Sequence, residues 1–304
     1  MIAQTLLDGL ISGSMIGLGA IGITLTYSIL RFANFAHGDM ISWGAYFAFA
    51  VAGALGSFMP GLSAPIGPFS FGWSLPIALV ASIILTALLA LLIDKLLFAR
   101  LRARKGAIII LVMAGFGAAL TIRSLLEFIF TSKPRYFTEE LQITAPIFAG
   151  ARATPDQLLG LALAVVLVIG VHLVLTRTAA GRAMRAVSEN QALAGLAGID
   201  VSRTIRLVWV FGAGLAAVAG VMAGVLVQIR PHMGHDLLLP LFAAAILGGI
   251  GSVPGAMTAG LIVGLAEALC VQFVGAEWRA AVSFLILVAI LVARPQGLFG
   301  KASS

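Results

Sequence analysis

The sequence predicts an all-α, polytopic transmembrane helical bundle with 8–9 membrane segments. Three features carry that expectation. Apolar residues gather in blocks close to the ~20 residues needed to cross a bilayer. Charge is scarce: 10% of the 304 residues are Asp, Glu, Lys or Arg, against about 25% in soluble domains, and the mean hydropathy is +1.09. The basic residues cluster in alternate connections between blocks.

The blocks run 6–30, 40–58, 75–93, 107–130, 157–176, 207–229, 237–252, 255–274 and 278–293. The first follows no basic leader and contains Asp8. It therefore reads as a span and not as a cleaved signal. The turn after it, NFAHGD, holds Asn34, His37 and Asp39. Two readings stand there: capping of helix ends at a tight inner turn made with Gly38, or a gating contribution. Two ligating side chains are too few for a metal site. The next connection, 59–74, is rich in proline and glycine and reads as an outer loop.

The fourth block carries Arg123 and Glu127 four apart, a spacing that allows a salt bridge toward its outer end. The alternative is a role on a solute pathway, because charges inside a membrane are costly and default to function. The outer connection 131–156 holds Lys133, Arg135, Glu139 and Glu140. A solvated loop or a docking surface fits that mix equally well.

The stretch Thr178–Arg206 is too polar to span and too patterned for a slack loop. Arg182, Arg185 and Glu189 share one helical face, with Ala183, Met184, Val187 and Ala194 as the apolar counterpart. Ser188 and Asn190 suit the cap of a second short helix starting near Gln191. Gly195 and Gly198 end it, and Asp200 or Ser202 caps the next span. An interfacial helix on lipid phosphates has the same pattern as a knob seated in a partner.

His232, His235 and Asp236 follow the sixth block as an outer rim or a solvated connection. The seventh block is short and holds Gly248, Gly249 and Gly251. It is either a ninth crossing or a re-entrant segment, which needs protein or water over its backbone. Glu267 lies within the eighth block; a polar group on a neighbouring helix or cavity water would satisfy it. Cys270 is the one cysteine, which excludes an internal disulfide.

Lys95, Arg100, Arg102, Arg104 and Lys105 share a side with Arg177, Arg182, Arg185, Arg203 and Arg206, and with Arg31, Arg294 and Lys301. The positive-inside rule then places the N-terminus outside and the C-terminus inside, with nine alternating segments. The net charge of +7 is thus topological and calls for no nucleic acid. Glycines crowd the first and sixth blocks. They suit tight helix packing or helices that slide.

GRAMRAVSENQALAGLAGI resembles the coupling-loop motif of branched-chain amino acid (LIV-type) ABC transporter permeases. Residues 26–46, TYSILRFANFAHGDMISWGAY, are similar to that family's N-terminal signature. Residues 246–257, ILGGIGSVPGAM, and 294–300, RPQGLFG, are similar to its Gly-rich segment and C-terminal tag. Chain length and the lack of a long N-terminal extension resemble the smaller of its two permease paralogues.

The resemblance implies one transmembrane permease domain over 1–304, with a cytoplasmic coupling loop at 178–206 inside it. Its contact residues would be Gly181, Arg182, Arg185, Ala186, Glu189, Asn190, Ala194 and Gly198. Asn34, His37, Asp39, Arg123, Glu127 and Glu267 are pathway or gating candidates. Implied partners are two cytoplasmic ABC ATPase subunits that bind ATP-Mg, a second permease and a periplasmic substrate-binding protein, all at the cell inner membrane. No G-x-x-x-x-G-K-[ST] occurs in this chain, so it holds no P-loop of its own.

The implied cargo is a branched-chain or related small amino acid; a urea or amide permease of the same family fits the residues too. An ion-coupled secondary transporter would need a pathway carboxylate, for which Glu267 is the candidate. No paired acids, metal-ligand set or nucleophile–base constellation points to an enzyme.

Overall fold

The computed structural model describes residues 2–138, 143–148, 150–294 and 296–300. Glu139 and Glu140 of the outer connection, and Pro295 and Lys301 of the C-terminal stretch, lie outside them.

The helices are α1 (Ile2–Leu30), α2 (Ala36–Phe58), α3 (Ser74–Ala103), α4 (Ile108–Phe130), α5 (Pro155–Arg177), α6 (Ala179–Glu189), α7 (Gln191–Leu196), α8 (Val201–Leu226), α9 (Met233–Asp236), α10 (Leu238–Gly248), α11 (Val253–Phe273) and α12 (Arg279–Ala293). A short antiparallel hairpin, β1 (Ala145–Phe148) with β2 (Ala151–Ala153), sits in the connection before α5. Among the described residues eight helices are long and apolar enough to cross a membrane, and Met233–Gly248 is a shorter apolar stretch. The polytopic all-α bundle expected from the sequence is the observed fold.

The core is α1 and α8, most of whose residues are buried. Glycine makes that possible. α1 and α11 run antiparallel with Gly9 against Leu265, Gly13 against Leu261 and Gly17 against Met257. A Cβ on Gly13 would stand 2.8 Å from the Leu261 Cα, so a side chain there would force the helices apart. Backbone approach of this kind supplies dispersion contacts where lipid gives no hydrophobic drive. α2 runs parallel to α8, with Gly44 against Ala217, and Ala48 clusters with Leu75 of α3 and Val221 of α8.

The two ends of the bundle differ. At one, Arg31 donates to the Ser188 carbonyl at 2.5 Å, Gln191 to the Ile29 carbonyl at 2.7 Å, and the Gly251 amide to Thr24 at 2.8 Å. The Leu298 amide also donates to the Leu247 carbonyl there, at 2.7 Å. At the other end the Arg152 amide donates to Gln4 at 2.8 Å, and Arg135 pairs with Ile229 through reciprocal backbone bonds. The first end carries the basic clusters and is called the basic end below.

Three local expectations change. The second span begins at Ala36, so His37 and Asp39 lie in the first turns of α2 and are buried, not in a turn. Gly38 is helical there, and its bare Cα lets the Gly234 carbonyl approach. The seventh block begins earlier, at Met233, and is broken at Leu237. It runs about 24 Å at 1.5 Å per residue, descends toward the basic end and turns back through Gly249 and Gly251 at φ +91° and +90°. L-residues rarely adopt that backbone.

Candidate functional site

Two regions hold most of the polar groups that the sequence singled out. The first is the α6–α7 element at the basic end. Thr178 caps α6 by accepting from the Gly181 amide at 3.1 Å. Gly181 permits the tight α5–α6 corner, since a Cβ there would collide with the Leu175 carbonyl. Gly181, Met184 and Val187 form its buried face. Asn190 caps α7, accepting from the Ala192 and Leu193 amides at 3.0 Å each, and Ala194 is buried beneath it. Gly198 takes φ +84° to close the turn, and Asp200 caps α8 through the Arg203 amide at 2.8 Å.

Arg182, Arg185 and Glu189 are all exposed, as one helical face requires, and the Arg185 guanidinium also folds back to donate to the Leu175 carbonyl at the end of α5. A cation there also complements the helix dipole. Ala186 is half-buried. Two residues not foreseen as contacts stand out: Leu193 is 63% exposed and Leu196 86%.

The second region joins α2, α4 and the α8–α9 link. Arg123 does not bond Glu127. Its Nε meets Asp39 Oδ1 at 2.7 Å and its Nη2 meets Oδ2 at 3.0 Å, a bidentate pair. Nη2 also donates to His235 Nδ1 at 2.9 Å. Glu127 instead accepts from His232 Nε2 at 2.6 Å. Helical spacing allowed Arg123–Glu127, but the fully buried Asp39 carboxylate faces Arg123 across the α2–α4 seam and outcompetes it. Trp43 ties the same seam, donating to the Ile122 carbonyl at 2.8 Å.

The remaining candidates sit apart. His37 is buried and its Nε2 lies 3.2 Å from the Gly19 carbonyl. Asn34 accepts from the Ala36 amide at 3.2 Å. Glu267 finds its partners on and beside α12: Arg279 Nε at 2.7 Å and Ser283 Oγ at 2.5 Å. Among the described residues no group of three or more His, Cys, Asp or Glu is placed to hold a metal.

Residues 5–291 match the family described as "Branched-chain amino acid transport system / permease component". The chain belongs to this family. The high-affinity branched-chain amino acid transport system permease protein LivH of Escherichia coli K12 is 32% identical, over 98% of this chain and 95% of that one. BraD of Pseudomonas aeruginosa is 33% identical with the same coverage. A protein of Methanocaldococcus jannaschii described as "Probable branched-chain amino acid transport permease protein LivH" is 29% identical, over 98% of this chain and 92% of that one.

Within this permease family member, sequence reasoning missed Arg31, Leu193, Leu196 and the ties of His232 and His235. Leu193 and Leu196 were detectable as an apolar pair three apart in a polar stretch. Nothing local marked Arg31 or the histidine partners, because each meets residues roughly a hundred or more positions away.

Proposed function

We propose that this permease forms one wall of the translocation pathway of an ATP-driven importer for branched-chain amino acids. The exposed Leu193–Leu196 tip of a locked two-helix element carries the reading. Such a tip is costly in water and at home in an apolar socket of a partner. That partner is a cytoplasmic ABC ATPase, two copies of which bind ATP-Mg and do the hydrolysis. The cargo class comes from the names of the relatives. A second permease completes the pathway, and a periplasmic binding protein meets the far end, at 59–73 and 131–154.

The basic end is then cytoplasmic and the N-terminus periplasmic, in the cell inner membrane, by the positive-inside rule. Mechanically, α6–α7 is bonded to the end of α1 through Arg31 and Gln191 and to α5 through Arg185, and a short turn capped by Asp200 joins it directly to α8. Motion of a bound ATPase is therefore delivered to α1, α5 and α8 together. The ATPase shifts the bundle only so far as it binds its two arrangements differently.

Co-purification tests the docking. Leu193→Glu with Leu196→Glu should release the ATPase while the chain still inserts in the membrane. An undiminished complex from that variant removes α6–α7 as the ATPase contact.

A further inference from the structure

The exposed surface at membrane depth is of two kinds. On α3 and α5 it presents Val80, Ile84, Val166 and Ile169. On the side of α4 and α9 it presents ionisable groups: the side chains of His232, Asp236 and Arg230 are 54%, 55% and 46% exposed, Glu127 is 34% exposed, His235 is exposed beside Arg123, and Arg230 pairs with Asp236 at 3.7 Å. Depth is fixed by neighbours. The Gly234 amide bonds Ser42 in the second turn of α2, and Trp43 bonds the Ile122 carbonyl. At 1.5 Å per residue, Glu127 thus lies about 15 Å below the Phe58 end of α2. Lipid does not tolerate such groups on an open face. Water or protein must meet them.

Below the strip stands an aromatic set. Phe35 is 6.2 Å from Phe116, edge to face, and 5.4 Å from Phe242, between ring centroids. Phe116 lies two turns nearer the basic end than Arg123 on α4, and Phe242 two turns nearer than His235 along α9–α10, about 10 Å in each case. The Arg230 guanidinium with the Glu127 and Asp236 carboxylates sets both signs of charge above an apolar floor, which matches an α-amino acid with a hydrophobic side chain. A carboxylate and an ammonium need opposite partners, and the side chain needs none.

We propose that Glu127, Arg230, His232 and Asp236, with His235 and Arg123 behind them, form a half-site for the charged ends of an amino acid, floored by Phe35, Phe116 and Phe242 and completed by the second permease. This rests on the permease reading and states where on this chain the solute sits. Arg123 is held by Asp39, so it positions His235 rather than meeting the solute itself.

Cysteine labelling of the assembled complex in proteoliposomes tests it. In a Cys270→Ala background, single His232→Cys, Asp236→Cys and Phe242→Cys variants are compared with lipid-facing Val166→Cys, using a membrane-impermeant sulfonated thiosulfonate. The three site variants should react at least tenfold faster than Val166→Cys. Leucine-loaded binding protein with ATP should slow His232→Cys and Asp236→Cys. Reaction of all three as slow as at Val166→Cys, in complexes that assemble with both ATPases, overturns the half-site and leaves the permease reading intact. Fast reaction that leucine does not slow places the solute elsewhere and overturns it too. If the unmutated complex imports no leucine, the function on which the half-site rests fails, and the half-site with it.

Discussion

Asp39 and Arg123 are the residues whose chemistry the bundle can least afford to lose. Asp39 is fully buried and the Arg123 side chain is 11% exposed, so each charge depends on the other. Asp39→Ala should cost about 3–5 kcal/mol, because it strands a buried guanidinium. Unfolding of the detergent-solubilised protein would register the loss. Asp39→Asn combined with Arg123→Gln should cost less than the sum of the single changes, since paired residues couple. Glu267 is different. Its oxygens are spent on Arg279 and Ser283, so Glu267→Gln should leave ATP-driven uptake intact. Abolished uptake would return Glu267 to the pathway. That Glu267 sits inside a span was legible in the sequence; that Asp39 does was not, because it read as part of a turn, and the partners of neither were visible. A four-residue spacing on one helix is visible in a string; a facing helix 84 positions away is not.

Among the elements, α6–α7 was the most legible. Its caps at Asn190 and Asp200 are local bonds over two or three residues, which sequence spacing records directly. The folding back of Arg185 was not, because it depends on the angle of the α5–α6 corner that Gly181 sets. Asn190→Ala should weaken α7 by about 1 kcal/mol, the usual worth of such a cap. It should lower import without releasing the ATPase, whereas Leu196→Glu should do both. The α9–α10 pair shows the opposite case. Its length and glycines marked an unusual segment, yet its start at Met233 depends on seating Gly234 against Gly38 and Ser42 of α2.

At the scale of the whole molecule, eight helices among the described residues are long and apolar enough to cross a membrane, and Met233–Gly248 is a shorter apolar stretch. The hydropathy blocks located them because lipid demands long apolar helices. The order of packing around α1 and α8 was hidden, since glycine contacts such as Gly13 with Leu261 leave no periodic trace. The placement of the ends is testable by single-cysteine accessibility in intact cells. Position 61 should label from outside and position 104 should not, and the reverse would invert the orientation.

On the proposed function, this permease moves amino acids only when an ATPase drives it through α6–α7. Leucine uptake by proteoliposomes holding the chain, its paralogue, both ATPases and the binding protein measures that directly. Uptake should require ATP and be lost in Leu193→Glu with Leu196→Glu. Leucine accumulation driven by an ion gradient in the absence of the ATPases would contradict it.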